Sequence, residues 1–162
     1  MRIPIFSMSI GTSICSFTGQ MLAMLSLPFF LQETLERSDV ITGLLLTPWP
    51  IATMIIAPLA GRLVERIHAG ILGSIGMTIF AIGLFLLAVL PSNPTNMDII
   101  WRLFICGSGF GLFQTPNNST IISSAPSNRS GGASGMLGTA RLLGQTLGAT
   151  QVAMIFYLVP IN

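Results

Sequence analysis

Charge is what the 162-residue chain has least of. Seven basic and five acidic side chains make up 7% of it, where a soluble domain carries about 25%. Lysine is absent, and histidine and tyrosine occur once each. With no basic stripe, the chain lacks the electrostatic footprint of a nucleic-acid binder. The two cysteines, Cys15 and Cys106, lie in separate apolar stretches. They form neither a disulfide framework nor a metal site, and are expected to pack as small hydrophobes. No glycine-rich phosphate loop is present, which excludes ATP-driven transport by this chain, and no cofactor is expected. The scarcity of charge is also patterned. No formal charge falls in 3–32, 40–61, 67–97, 103–128 or 142–162.

What fills those five stretches is apolar, and 51% of the chain is hydrophobic. About 20 apolar residues cross the ~30 Å hydrocarbon layer as a helix. The spacing therefore predicts transmembrane helices over about 5–31, 41–62, 69–91, 99–123 and 133–159, with 1–162 forming a single transmembrane domain in the lipid bilayer. The first stretch is too long for a signal peptide, and no small-residue cleavage site closes it. Barrel strands would be about ten residues long and alternating, and 79–90 does not alternate. Glycine and proline are frequent, as transmembrane packing tolerates. Gly107/Gly111, Gly131/Gly135 and Gly144/Gly148 each place two small residues on one helix face. Pro48, Pro50, Pro58 and Pro116 are expected to kink their helices. Trp49 and Trp101, near span ends, are expected in an interfacial aromatic belt.

Short loops carry the charge. With the N-terminus inside, Arg2, Arg62, Arg66 and Arg129 are cytoplasmic, against Arg37 and Arg102 outside. The positive-inside rule thus favours a cytoplasmic N-terminus and an external C-terminus.

The loop Gly61-Arg62-Leu-Val-Glu65-Arg66-Ile-His68-Ala-Gly70 resembles the loop signature of the major facilitator superfamily, G-x-L-[AG]-D-R-x-G-[RK]-[RK]. Gly61, Leu63 and Arg66 match and Glu65 stands in for Asp. His68 replaces the second glycine, and the trailing basic pair is missing. The run Gly107–Asn118, the turn Ala125–Gly135 and Ala140-Arg-Leu-Leu-Gly-Gln-Thr-Leu-Gly148 resemble the fourteen-helix drug:proton antiporter branch, of the methyl viologen and quaternary ammonium exporter type. The resemblance covers essentially the whole chain. It implies five helices of an incomplete C-terminal six-helix bundle. The N-terminal half and the last helix would be partners outside this sequence, with a small-molecule substrate, in a bacterial inner membrane. It also implies proton-driven export of cationic or amphipathic drugs. Glu65 and Arg66, with Gly61 and Arg62, would belong to a cytoplasmic charge cluster that breaks and re-forms between transport states.

Polar side chains inside lipid are costly unless they face protein or water. Gln20, Gln114, Asn117, Asn118, Arg141, Gln145 and Gln151 are therefore candidates for a substrate pathway. Gln114 shares a helix face with Asn117 and Asn118, and Arg141 with Gln145. The competing role for each is an interhelical hydrogen bond. Arg141 lies about 12 Å past the cytoplasmic edge of its span. It can also snorkel back toward that edge, or form a structural ion pair. No carboxylate lies in mid-span, so a coupling acid would have to come from elsewhere in the transporter. An intramembrane serine protease is a poor alternative. Gly132-Ala-Ser134-Gly135 fits the nucleophile pattern, but the sole His68 is in a loop. The chain is not expected to be an enzyme. The serious alternative is a small membrane protein, or the remnant of a truncated gene, with no transport of its own. Five helices of one bundle cannot enclose a cavity that alternates between two bundles. Sequencing the DNA on both sides separates these cases.

Overall fold

The computed structural model describes residues 3–91, 93–124 and 130–158. The first span is α1 (Ile3–Phe29), continued by a π turn at Phe30–Thr34. Pro28 explains the change of pitch. It has no N–H for the Met24 carbonyl, and its ring presses on that carbonyl, so the next turn widens. The turn ends at Glu36, whose φ of 49° is a conformation usually left to glycine. The Arg37 N–H donates back to the Leu31 carbonyl at 3.0 Å, one residue further than in an ordinary C-cap, as a π turn requires. Glu36→Gly should relieve the left-handed strain. It should raise stability by up to about 1 kcal/mol, read as a higher melting temperature in detergent.

The second span is α2 (Asp39–Leu46) joined to α3 (Pro48–Val64). Pro48 and Pro50 remove two consecutive-turn donors, which interrupts the helix at Thr47. The Thr47 N–H takes the Leu44 carbonyl at 3.3 Å, in place of the donor that Pro48 lacks, and its hydroxyl donates to the Gly43 carbonyl at 2.9 Å. Next come α4 (Ala69–Ala88), α5 (Asn96–Ser124) and α6 (Ser130–Leu158). Pro58 and Pro116 lie within continuous helices. Among the described residues there is no strand. Pro4–Thr34, Asp39–Val64 and Ala69–Ala88 are long and apolar enough to cross a membrane. At 29 residues each, α5 and α6 are long enough too, about 43 Å. Their Gly, Ser, Thr, Asn and Gln residues dilute the hydropathy.

The helices pack as two units. One holds α2, α3, α4 and most of α5. Within it, α5 lies between two neighbours at near-backbone contact. A Cβ added at Gly107 would lie 3.0 Å from the Ala52 Cβ and closer still to the Trp49 carbonyl, and one at Gly111 would lie 3.3 Å from the Thr53 Cα. On the other flank, Gly83 sits against Cys106, Gly109 against Phe80 and Gly76 against Phe113. The pairing numbers rise together for α3 with α5 and run oppositely for α4 with α5. The first pair is therefore parallel and the second antiparallel, as alternating crossings demand. Trp49, Phe80 and Phe110 fill the wedge, with ring centroids 5.6–6.3 Å apart. Trp49 is 1% exposed, so it is a packing anchor rather than a belt residue. Its neighbouring glycines let the backbones close around the indole. Trp101, 38% exposed, does sit on the surface.

The other unit pairs α1 with α6. Gly144 rests on Ile14 and Phe17, Gly148 on Thr18 and Met21, and Phe29 meets Phe156 edge-on at 5.0 Å. This register is parallel as well. Gly131 and Gly135 have nothing within 4 Å of an added Cβ, so that predicted small-residue face contacts no neighbour. The outer surfaces carry Val40, Met54, Phe85 and Leu142, each 65–72% exposed. Such a surface suits lipid and not water.

Candidate functional site

Three threonine hydroxyls do for the helix pairs what the sequence reading left to glycine alone. Thr18 donates to the Ile14 carbonyl one turn back and to the Gly144 carbonyl across the interface, at 2.8 and 3.1 Å. Thr53 donates in the same way to Trp49 and Gly107, at 3.1 and 3.0 Å. Thr115 repeats the pattern, with Gly111 at 3.1 Å and Ala57 at 3.5 Å. Each cross-helix bond contributes about 0.6 kcal/mol inside a bilayer. Only Thr115 carried a clue in the sequence, lying four residues after Gly111 on a glycine-rich face.

These contacts fix the azimuth of α5. Its small face meets α3, its Cys106–Gly109–Phe113 face meets α4, and Trp101, Phe104 and Ile122 point outward. Gln114 and Asn117 share an arc of α5 with Leu103, Phe110 and Ile121, which are 0–3% exposed. Asn117 is buried at 9% exposure, and Gln114 and Asn118 are half-buried. Gln114 and Asn117 thus point away from the lipid-facing side, while Asn118 lies nearer the face of Phe104 and Ile122.

Of the other candidates, Gln20 on α1 and Gln145 on α6 are half-buried, while Gln151 and Arg141 are exposed. The Arg141 guanidinium lies over the Phe17 ring, 5.5 Å from its centroid. This brings Arg141 against α1 one helical turn before Gln20.

In the loop motif, Gly61 packs beside Thr115, and Arg62 occupies the last turn of α3, where the helix dipole favours a cation. Arg62, Glu65 and Arg66 are exposed, and among the described residues no ion pair holds Glu65 or Arg66. Arg129, expected on the same side, lies outside the described residues. His68 caps α4, its Nδ1 accepting from the Gly70 N–H at 3.2 Å.

The opposite end of the same unit has its own polar features. Arg102 donates through Nη1 to the Leu86 carbonyl at 2.7 Å, tying α5 to the last turn of α4, and its guanidinium stacks on Trp101 at 5.2 Å. Thr95 and Asp98 form a reciprocal cap at the start of α5. Asp98 Oδ2 accepts from the Thr95 hydroxyl at 2.6 Å and from its N–H at 3.1 Å, and Thr95 Oγ1 accepts from the Asp98 N–H at 3.2 Å. The Thr95 hydroxyl and then its N–H hold the Asp98 carboxyl below its ordinary value. A depressed folded-state value means the cap contributes fully above the usual carboxylate value and is lost as pH falls from there through the lower folded-state value. Protection of the first-turn amides of α5, measured against their intrinsic exchange rates at each pH, should therefore fall in acid below about pH 4. Thr95→Val should remove that pH dependence. An open pocket of about 280 Å³ lies nearby, lined by Thr34, Leu35, Glu36, Arg37, Asn93 and Pro94, which puts the first and third loops at one end of this unit.

A sequence profile of the Major Facilitator Superfamily matches residues 2–149. The chain belongs to this superfamily. It is 66% identical over 155 residues to the uncharacterized transporter YebQ of Escherichia coli K12, covering 96% of this chain and 34% of that one. It is 32% identical over 144 residues to the multidrug resistance protein Stp of Mycobacterium tuberculosis H37Rv, covering 88% and 26%. It is 30% identical over 143 residues to the riboflavin transporter RibZ of Clostridioides difficile 630, covering 88% and 31%. The chain thus spans about a third or less of the length of these curated relatives. No solved structure matches it. As a superfamily member with helices of membrane-spanning length, it is an all-α integral membrane protein segment. Two of these relatives are named as transporters and one as a multidrug resistance protein.

Proposed function

We propose that the chain is the C-terminal portion of a secondary transporter that exports small cationic or amphipathic drugs by proton antiport across the bacterial inner membrane, with its N-terminus cytoplasmic. The observation that carries this most is the buried polar arc of α5, Gln114 and Asn117 with Asn118 beside them, in a chain whose relatives include one named for multidrug resistance. Polar groups held away from lipid on a bundle helix are what a cargo pathway needs. Gln20 and Gln145, half-buried on α1 and α6, are the pathway candidates of the other unit. Arg141 would repel a cationic drug and is assigned a gating or pairing role instead. The cytoplasmic N-terminus is supported by the basic residues of the α3–α4 loop.

The test is expression of the complete reading frame that carries this segment in a strain stripped of its main efflux pumps. Raised resistance to quaternary ammonium and viologen compounds is expected. So is labelling of cysteines placed at 114, 117 and 145 by a membrane-impermeant thiol reagent. Unchanged sensitivity across that panel would overturn drug efflux. Riboflavin belongs in the same panel because of the relative named for it, and movement of riboflavin alone would replace the cationic cargo with a neutral aromatic one.

A further inference from the structure

Among the described residues, three buried side-chain polar atoms have no hydrogen-bond partner: Thr42 Oγ1, Trp49 Nε1 and Arg102 Nε. All three belong to the unit built on α2, α3, α4 and α5. Arg102 looks toward α4, where its Nη1 holds the Leu86 carbonyl, and is left aside. Thr42 and Trp49 are 2% and 1% exposed. Threonines elsewhere in the helices, Thr18, Thr47, Thr53 and Thr115 among them, return the hydroxyl to a carbonyl one turn back. The enclosed Thr42 hydroxyl does not. Thr42 and Trp49 are seven residues apart, two turns along one span. Thr47 between them keeps helical angles, φ −56° and ψ −33°, so both residues stay on one face across the joint. That face is the seam with α5, where Trp49 lies against Gly107 and its ring meets Phe110. Two turns earlier on these parallel helices, Thr42 comes level with the buried Ile99.

The indole N–H can only donate, whereas the hydroxyl can donate or accept. The joint adds an acceptor between them. Pro50 has no N–H to give to the Leu46 carbonyl one turn before it. Helical side chains lean toward the N-terminus, which carries the indole toward Leu46 and Thr42. Leu45, Ile99 and Leu103 are buried in the same seam. Cargo is far too large for so enclosed a place, but water is small, neutral, and able to accept and donate together. Buried waters take about three partners each, and in membrane helices they satisfy carbonyls that proline sets free.

We propose that bound water, one molecule or a hydrogen-bonded pair, occupies the seam between Thr42 and Trp49. It accepts from the indole N–H, shares a hydrogen bond with the Thr42 hydroxyl and donates to the Leu46 carbonyl. It thereby replaces the helix bond that Pro50 removes, and lets the span be interrupted at Thr47 without leaving a carbonyl unsatisfied in the bilayer. The site stands whatever cargo the complete transporter carries.

The experiment measures reversible unfolding of the complete, purified transporter in mixed micelles, as wild type, Thr42→Val, Trp49→Phe and the double variant. Were the hydroxyl and the N–H simply without partners, an apolar replacement of Thr42 would be neutral or stabilising, and the two effects would add across two turns. Bound water predicts the opposite. T42V should lower the folding equilibrium constant about fivefold. W49F should cost much less in the T42V background than in wild type, because the shared water is already displaced. A T42V protein as stable as wild type, or strictly additive losses, overturns the site. If W49F or the double variant does not accumulate, nuclear magnetic resonance of labelled indole N–H groups decides on wild type and T42V alone. One indole resonance should shift in T42V, and in wild type that resonance should exchange magnetisation with water. No shifted resonance, or a shifted one without contact to water, overturns the proposal.

Discussion

Gly109→Leu should prevent α5 from docking on α4, with loss of folded protein as the expected outcome. Even the first carbon of a side chain at this position would lie 2.8 Å from the Phe80 Cα and 2.9 Å from the Gly76 carbonyl. Both are backbone atoms on a neighbouring helix, so no rotamer change makes room, and the helices must separate. Forced overpacking costs up to about 3 kcal/mol where side chains can yield, and more where they cannot. Inside a bilayer the loss is felt directly, since helix association depends on close packing and short polar contacts rather than on escape from water. Gly109→Ala should already be strongly destabilising. The matched control is Gly131→Ala or Gly135→Ala, where an added Cβ meets nothing within 4 Å. Those variants should be neutral or more stable by up to about 1 kcal/mol, the helix-propensity difference. Reversible unfolding in mixed micelles, compared across the three sites, reads the contrast. Equal effects at all three would show that glycine acts here through backbone freedom and not through contact.

Trp49→Ala should be the most damaging truncation in the same unit, at about 3 kcal/mol or more. The indole is 1% exposed, and its ring meets Phe80 at 5.8 Å, edge-on, and Phe110 at 6.3 Å. It sits next to the Thr47 joint, where the α2–α3 span has already lost two backbone donors to Pro48 and Pro50. Removing it leaves a cavity beside the least reinforced turn of that span. Trp49→Phe should keep most of the stability, because aromatic packing with Phe80 and Phe110 survives. Unfolding in the same micelles measures both variants. A Trp49→Ala protein as stable as wild type would return this residue to the interfacial role that its place in the sequence implied.

That reversal shows what a sequence of this kind can and cannot tell. Five charge-free stretches separated by short polar loops announced the helices, because nothing but lipid accepts such surfaces. Gly107/Gly111 and Gly144/Gly148, four apart, announced two contact faces, and both proved to be interfaces. The α4–α5 interface was not visible, because Gly76 and Gly83 are seven apart and meet Phe113 and Cys106 on the other helix, with only Gly109 there as a small residue, against Phe80. Spacing along one helix gives a face but not its neighbour, which is why Gly131/Gly135 looked equivalent and is not. Trp49 lies at a span end between two prolines, which reads as an interface in one dimension. Only the approach of Gly107 to its carbonyl places it in a core. The Thr95-Asn-Met-Asp98 cap fits a capping pattern in the sequence, with an acidic residue three after the threonine. For the pathway candidates, the sequence marked Gln114 and Asn117 by polarity, and the azimuth of α5 turned them from lipid.

The threading itself is the claim on which the rest depends, and cysteine labelling in intact cells tests it most directly. Single cysteines are placed at Glu36, Glu65 and Asn93, all exposed, in a background where Cys15 and Cys106 have been replaced by small residues. Positions 36 and 93 line one pocket and must share a side of the membrane, whereas 65 follows α3 at the other end. An impermeant maleimide should label 36 and 93 in intact cells and reach 65 only after the membrane is opened. Equal labelling of 36 and 65 from the same side would contradict the alternating five-helix threading.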